Sequence, residues 1–239
     1  MSVPIVQDGS MVEHGDPPLV YERPIAIVGG GTVEPDMLRQ LDQQGIALIG
    51  ADGGGDVIAD AGLVPAAIVG DFDSLRDPSA WSSQTRLVHL KEQMTSDFEK
   101  AVYSTSAPVT LALGMIGRRF DHTMAGLHVV HRYAKERRII LVDEVDIVMG
   151  VSGSFDFTAE PGERVSIHPL DPVCFRASSG LLFSLDGLAL ASGVRTGTSN
   201  SATQTTFSVE TSEIGIWLLI LGKARLADLI QHLVTRDRP

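Results

Sequence analysis

Four aspartates stand at positions from which carboxylates could hold a metal ion. Asp71 and Asp73 lie two apart in the sequence GDFDS, Asp52 lies in ADGGG, and Asp97 lies in TSDFEKA. Carboxylates two residues apart on an extended segment point to the same side, where they repel unless a cation joins them. A hard ion such as Mg²⁺ is the natural occupant. The pattern predicts a metal–phosphate site. Two alternatives are that the Asp-Gly and Asp-Ser pairs only form turns, and that Asp97 only stabilises the start of a helix.

Short apolar runs precede both of the first two acidic sequences. Residues 46–49 and 66–69 do not alternate and are bounded by Gly or Pro, which predicts parallel strands buried on both faces. The segment 56–63 between them predicts a short helix, and residues 24–28 predict an earlier strand. Open α/β sheets bind ligands at the carboxyl ends of their strands. We therefore expect the acidic loops to meet at that edge.

The pattern changes near residue 150, where short strand-like runs, 181–185 among them, alternate with Gly, Pro, Asp and Ser turns. This predicts a small all-β sandwich or barrel, followed by an amphipathic helix over residues 223–234. The predicted fold class is α/β plus all-β, with a Rossmann-like parallel-sheet N-terminal domain and a β-sandwich or barrel C-terminal domain. The expected divisions are an arm at 1–23, an α/β catalytic domain at 24–148, a β domain at 151–222, and a C-terminal helix and tail at 223–239.

Composition narrows the classes of partner. The 239 residues are 44% hydrophobic and 21% charged, with a net charge of −11, which argues against nucleic acid or an anionic membrane as the main partner. The longest apolar run, 214–221, is too short to span a bilayer. The N-terminus lacks the pattern of a secretory signal. The single cysteine, Cys174, permits no internal disulfide and suits a reducing cytoplasm.

Six sequence motifs together resemble those of the thiamine pyrophosphokinase family. ADGGG, GDFDS, EQMTSDFEKA and the run GMIGRRFDHT occur in the family's order and with comparable spacing. In the C-terminal half, residues 179–185 resemble the family's GLKW-type strand and residues 198–200 resemble its STSN motif. The resemblance covers about residues 25 to 221.

The resemblance implies an Mg²⁺-dependent enzyme that transfers pyrophosphate from ATP to the hydroxyl of thiamine and releases AMP. It implies an α/β domain for ATP, a β domain for thiamine, and a homodimer with active sites between subunits. Catalysis would come mostly from alignment of the reacting groups and from neutralisation of developing charge. An acidic pocket suits thiamine, which carries a permanent positive charge.

The resemblance also implies a role for individual residues. The catalytic and metal-binding residues would be Asp71, Asp73 and Asp97; the substrate-binding residues Asp52, Gln93, Phe183, Ser199 and Asn200; and the ATP-binding residues Gly53, Gly54, Arg119, Asp121 and His122.

Some positions depart from the family pattern and leave alternatives open. Arg118 replaces a glycine, Gly126 replaces Asn and Phe183 replaces Trp, so a pyrophosphokinase with another acceptor such as a pterin, or a non-catalytic nucleotide-binding homologue, is also considered. A phosphohydrolase of the haloacid dehalogenase type would carry its DxD on the first strand and end in Thr or Val, where this chain has Ser74. A nicotinamide cofactor is disfavoured because Glu34 stands where GxGxxG needs its third glycine.

Overall fold

The computed structural model describes residues 5–7, 10–12, 19–81, 85–117, 119–212 and 214–236. The fold is mixed α/β, and the chain divides into two compact units, Met1–Gly126 and Leu127–Pro239. Most of the predicted N-terminal arm, and Arg118, lie outside the described residues. Among the described helices, none is long and apolar enough to cross a membrane.

The first unit is built on a parallel sheet. Its strands lie in the order β9-β4-β5-β6-β7, with every neighbouring pair parallel. Strands β4, β6 and β9 are buried along their whole length, which explains why their sequences are continuously apolar. The strands are β1 (Ile5–Gln7), β2 (Ser10–Val12), β3 (Leu19–Val20), β4 (Ile25–Val28), β5 (Ala47–Ala51), β6 (Ala67–Gly70), β7 (Arg86–His89), β8 (Thr105–Ser106) and β9 (Thr110–Leu113).

Local signals set the helix bounds in this unit. The third helix begins after Ser96, whose side chain accepts a hydrogen bond from Glu99 N at 3.2 Å, as an N-cap does. The first helix starts at Pro35 and is followed by Gly45 at φ +73°, a turn that favours glycine. The helices are α1 (Pro35–Gln43), α2 (Gly54–Asp60), α3 (Asp97–Tyr103) and α4 (Phe120–Tyr133), with a 3₁₀ helix at Pro78–Trp81; α4 continues into the second unit.

The second unit contains two antiparallel sheets. One has the order β10-β11-β18-β13-β16 and the other β12-β17-β14-β15. Its elements are β10 (Ile139–Val142), β11 (Asp146–Ser152), β12 (Phe155–Thr158), β13 (Arg164–Pro169), β14 (Val173–Ser179), β15 (Leu188–Leu190), β16 (Gly197–Ser201), β17 (Thr206–Thr211), β18 (Ile216–Gly222), a 3₁₀ helix at Lys223–Arg225 and α5 (Leu226–Thr235).

Aromatic side chains join the two sheets of this unit. Trp217 of β18 is fully buried and contacts Phe155 of β12 and Phe175 of β14 edge-on, with ring centroids 6.4 and 5.9 Å apart. Edge-to-face contacts of this kind are a favoured aromatic geometry. The indole Nε1 donates to Gly153 O at 2.9 Å, so the one polar atom of the Trp217 side chain is satisfied.

The predicted elements of the first unit are confirmed to within a few residues, including the parallel pairing of β5 and β6. The predicted strand at 181–185 is wrong. Leu181 forms only an isolated bridge with Ala202, and the chain then turns because Ser178 Oγ binds both Leu185 N and Asp186 Oδ1. These local side-chain bonds compete with strand pairing.

The close packing of α2 on β4 gives a test of the fold. A Cβ built on Gly54 would lie 1.7 Å from Val28 O, whereas one on Gly30 would meet no atom within 4 Å. Gly54→Ala should therefore lower the free energy of unfolding by about 3 kcal/mol, and Gly30→Ala should change it by less than about 0.5 kcal/mol. Urea denaturation followed by circular dichroism measures both, and equal midpoints for the two variants would contradict the packing described.

Candidate active site

A cavity of about 620 Å³ lies at the carboxyl edge of the parallel sheet. Strand β4 has β5 on one side and β9 on the other, so the chain order reverses at β4. Such a reversal leaves a crevice beyond the strand ends, where α/β proteins bind ligands. The cavity is lined by the turn after β4 (Gly29–Gly31), by the turn after β9 (Gly114–Ile116), and by parts of the loops that carry the predicted site.

Glycines allow two of these turns to touch. A Cβ on Gly31 would lie 2.3 Å from Gly114 O, closer than any side chain permits. Gly31 N donates to the same carbonyl at 3.2 Å, and Gly114 has φ +68°, a conformation that suits glycine. Gly31 is therefore required for close approach of two backbones at the cavity wall, and no GxGxxG motif is needed to explain it.

Three carboxylates converge beside this cavity. Asp52 follows β5, Asp71 and Asp73 follow β6, and one oxygen of each lies within 4.8 Å of the others. Asp52 lines the cavity. Oxygen atoms in this arrangement form a donor set that suits a hard divalent cation.

Asp52 is the buried member of this trio, with 2% of its surface exposed. Its Oδ2 accepts a hydrogen bond from Ser74 N at 3.0 Å, while its buried Oδ1 has no hydrogen-bond partner among the described residues. Burial raises the pKa of Asp52 above its usual value, and the bonds from Ser74 only partly offset this. A buried carboxylate oxygen without a partner is costly, and a cation between the three carboxylates would satisfy it. The trio therefore fits Mg²⁺ by its chemistry.

Lys100 is an internal cation that ties Asp97 to this cluster. Its Nζ lies 2.9 Å from Asp97 Oδ1 and 3.3 Å from Asp71 Oδ2, and its side chain is 2% exposed. Burial alone would lower the pKa of Lys100, but the bonds to Asp97 and Asp71 outweigh it and raise the pKa. Asp97 itself lines the cavity. The structure thus connects Asp97 to Asp71 through a lysine, and the carboxylate trio contains Asp52 in place of Asp97.

Gln93 approaches the cluster from the loop before α3. Its Nε2 donates to Asp71 Oδ2 at 2.6 Å. This bond is the largest cause of the lowered pKa of Asp71, and a smaller contribution comes from Lys100. Glu92 holds the loop, because its carboxylate accepts hydrogen bonds from Met94 N at 2.7 Å and from Tyr103 OH at 3.0 Å. The side chain of Glu92 therefore spans this loop.

The predicted nucleotide residues form a second charged group around the start of α4. Arg119 donates from Nε and Nη2 to the two carboxylate oxygens of Asp121, at 3.1 and 2.6 Å. This pairing lowers the pKa of Asp121 and is of the planar, bidentate kind. Arg119 and His122 line the cavity together with Gly53. Gly54 does not line it, since it is buried against β4.

The three predicted residues of the second unit lie near one another in that unit. Asn200 is 2% exposed, and its side chain accepts from Phe183 N at 2.9 Å and donates to Phe183 O at 2.7 Å. Phe183 is 63% exposed. Ser199 is exposed, has φ +58°, and donates from its N to Ser166 Oγ at 3.0 Å. Asn200 therefore fixes the backbone that presents the Phe183 ring.

Two parts of the site were not anticipated from the sequence. Lys100 stands three residues after Asp97, a spacing that places both on one helix face and could have signalled the ion pair. The contacts of Asp56 could not have been read in this way, because Asp56 Oδ2 accepts from Arg76 N at 2.8 Å across 20 residues of chain. Asp56 and Asp52 thus both hold the loop that follows β6.

The sequence itself carries a match to a known family. Residues 38–142 match the family model described as thiamin pyrophosphokinase, catalytic domain. The chain is 27% identical over 176 residues to thiamine pyrophosphokinase 1 of Oryza sativa subsp. japonica, a match covering 66% of each chain. It is 28% identical over 154 residues to thiamin pyrophosphokinase 1 of Caenorhabditis elegans, covering 58% of this chain and 63% of that one. The chain thus spans slightly less than two thirds of these two relatives.

Solved structures share the fold. The thiamin pyrophosphokinase of Geobacillus thermodenitrificans superposes with a TM-score of 0.70 at 24% identity, covering 83% of this chain and 97% of that one. The yeast thiamin pyrophosphokinase gives a TM-score of 0.72 at 15% identity, covering 87% and 89%.

The Gln93–Asp71 bond predicts a pH effect on stability. A carboxyl whose pKa is lower in the folded than in the unfolded chain adds stability above the unfolded pKa, and this is lost as the pH falls through the folded pKa. Gln93→Leu should move the pKa of Asp71 back toward its usual value, so the variant should lose less stability on acidification. Unfolding free energies from pH 7 to pH 3 measure this, with Gln43→Leu, an exposed change on α1, as the control. Identical pH profiles for Gln93→Leu and the parent protein would contradict the assignment.

Proposed function

We propose that this chain is a member of the thiamine pyrophosphokinase family, which it resembles in sequence, and that it transfers the pyrophosphoryl group of ATP to the hydroxyl of thiamine and releases AMP. One observation carries the proposal beyond the family match. A buried, unpartnered carboxylate oxygen of Asp52 lies within 4.8 Å of carboxylate oxygens of Asp71 and Asp73, beside a cavity at the switch point of a parallel sheet. That is where a metal–nucleotide complex would bind.

Asp71 and Asp73 would hold Mg²⁺, with Asp52 as the nearest third carboxylate. When bound, Mg²⁺ supplies positive charge that neutralises the phosphate oxygens of ATP. Asp97, predicted as a third ligand, is linked to Asp71 through Lys100, so it would contribute from the cavity wall. Lys100 limits the net negative charge of the cluster, which otherwise would repel the triphosphate.

The cavity provides the remaining contacts for ATP. Its volume of about 620 Å³ is in the range of ligand pockets for molecules of this size. Backbone N–H groups of the glycine turns and Gly53 would lie along the phosphates. Arg119 would bind phosphate oxygens in a planar fork, oriented by Asp121, and His122 would line the same wall. Alignment of the thiamine hydroxyl with the β-phosphorus would provide most of the rate enhancement.

Thiamine would be recognised by the residues of the second unit. The exposed ring of Phe183 would pack on a thiamine ring, and its π face would favour the cation. Ser199 would bond to the polar edge, and Asn200 would act by holding Phe183. In the first unit, Gln93 would donate a hydrogen bond to the substrate, and the carboxylate of Asp52 would attract the positive charge of thiamine. The parallel sheet would be the Rossmann-like catalytic domain at 24–148, and the two antiparallel sheets would form the β-sandwich at 151–222. A cytoplasmic homodimer with active sites between subunits completes the proposal.

The reaction is tested with purified protein, ATP, Mg²⁺ and thiamine, by chromatography of the products. AMP and thiamine diphosphate should form in equal amounts. If AMP forms only in the presence of a different acceptor, such as a hydroxymethyl pterin, that acceptor would replace thiamine in the proposal. If neither product forms, the transferase assignment fails.

Asp73→Asn tests the metal assignment. Loss of one carboxylate from the trio should reduce kcat by about 100-fold or more, because stabilising charge is removed from the reacting phosphates. The control is Asp36→Asn on α1, whose side chain is 86% exposed and forms an ion pair with Arg39; it should retain full turnover. Circular dichroism should show both variants folded. Near-parental turnover in Asp73→Asn would remove Asp73 from the site.

Phe183→Ala tests the thiamine assignment. Removing the ring should raise KM for thiamine by about tenfold, the equivalent of one aromatic contact, and leave KM for ATP unchanged. Leu182→Ala is the matched control, because Leu182 is 60% exposed on the same loop. Steady-state kinetics with each substrate varied in turn separate the two effects. A rise in the ATP KM alone would contradict the role given to Phe183.

A further inference from the structure

The backbone between Asp71 and Asp73 has an unusual conformation. Phe72 has φ +68°, in the left-handed region that is unfavourable for a residue with a large side chain. This conformation sets the directions in which the flanking carboxylates of Asp71 and Asp73 leave the chain. A residue without glycine's freedom keeps such a conformation only when its surroundings hold it there.

His89 makes two contacts that hold this conformation. Its ring stacks on the ring of Phe72, with centroids 4.8 Å apart and planes 18° from parallel. Its Nε2 lies 3.1 Å from the carbonyl oxygen of Asp71. Because a carbonyl oxygen only accepts hydrogen bonds, Nε2 carries the hydrogen and donates it. One side chain therefore fixes both the peptide before Phe72 and the ring of Phe72 itself.

The sheet places His89 at the required position. His89 is the last residue of β7 and pairs in register with Gly70, the last residue of β6. The next residue, Leu90, donates from its N to Gly70 O at 2.8 Å. The backbone of β7 is thus attached directly beside the residue where the GDFDS turn leaves the sheet, and the imidazole extends over the turn.

We propose that His89 is a positioning residue for the divalent cation: by stacking on Phe72 and donating to Asp71 O, it holds the carboxylates of Asp71 and Asp73 in one arrangement. The inference rests on the proposed function for the identity of the site. It concerns residues outside the acidic motif, since His89 lies 18 residues from Asp71.

Electrostatics explains why the turn needs such a contact. Two carboxylates at close range repel each other, and rotation of Phe72 into a relaxed conformation would let them separate. Without His89 the cation would have to restore the arrangement when it binds, at a cost in affinity. Loss of His89 should therefore weaken metal binding and raise KM for Mg²⁺, while kcat at saturating Mg²⁺ should change little.

The test measures Mn²⁺ binding directly, by electron paramagnetic resonance of the free ion, with Mn²⁺ alone added to the full chain. His89→Ala should weaken Mn²⁺ binding by about tenfold, in line with the loss of a residue that orients metal ligands. His89→Phe keeps a ring for stacking, and His89→Gln keeps an N–H donor, so each should restore part of the affinity. His128→Ala, an exposed histidine of α4, is the matched control and should bind as the parent does.

The outcomes separate this inference from the proposed function. Equal Mn²⁺ affinity in His89→Ala and the parent, an absence of Mn²⁺ binding by the parent, or a fall in kcat without a rise in KM for Mg²⁺ would each overturn it. Weaker Mn²⁺ binding by His89→Ala would support it even if no thiamine diphosphate formed, in which case the proposed function alone would fail. Should His89→Ala be unfolded by circular dichroism, the Phe and Gln variants give the same comparison.

Discussion

The repulsion among carboxylates at one edge of a parallel sheet is the constraint on which this structure depends. Asp52 and Asp71 leave adjacent strands, and Asp73 and Asp97 add further negative charge nearby. Such a cluster is stable only with compensating positive charge or hydrogen bonds. Lys100 contacts two of the four carboxylates, those of Asp71 and Asp97. Gln93 donates to the same oxygen of Asp71, and Ser74 N donates to Asp52. A divalent cation would neutralise the negative charge that these contacts leave uncompensated.

The glycine turns and the GDFDS turn have different structural roles at the carboxyl edge of the parallel sheet. Gly31 and Gly114 let two backbones approach and form one wall of the cavity. The GDFDS turn instead carries bulky and charged residues, and it is held from outside by the side chains of His89, at the end of β7, and Asp52, in the loop after β5. A wall of backbone N–H groups suits phosphate, and a rigid set of carboxylates suits a metal ion. The two together would suit the two parts of the metal–nucleotide complex in the proposed function.

Much of the first unit follows from its sequence, because local signals and burial agree there. Continuous apolar runs predicted the parallel strands. The loop at 181–185 was not predictable, since its turn depends on Ser178 bonding to Asp186 against an apolar sequence that favours a strand. In the site, the acidic residues were identifiable by type and spacing. The pairing of Lys100 with Asp97 could have been inferred from their spacing, but the contact of Lys100 with Asp71 and that of Asp56 with Arg76 join residues 29 and 20 apart in the sequence. Only the folded chain shows these two contacts.

The order of residues along the chain has a consequence for biosynthesis. The acidic trio, Lys100, Gln93 and the glycine turns all lie before residue 127, within the first compact unit. Domains that precede others in the chain fold first during synthesis. The carboxylates and Lys100 can therefore come together while the residues of the second unit are still being translated. The ion pairs of Lys100 with Asp71 and Asp97 can then form in the nascent chain.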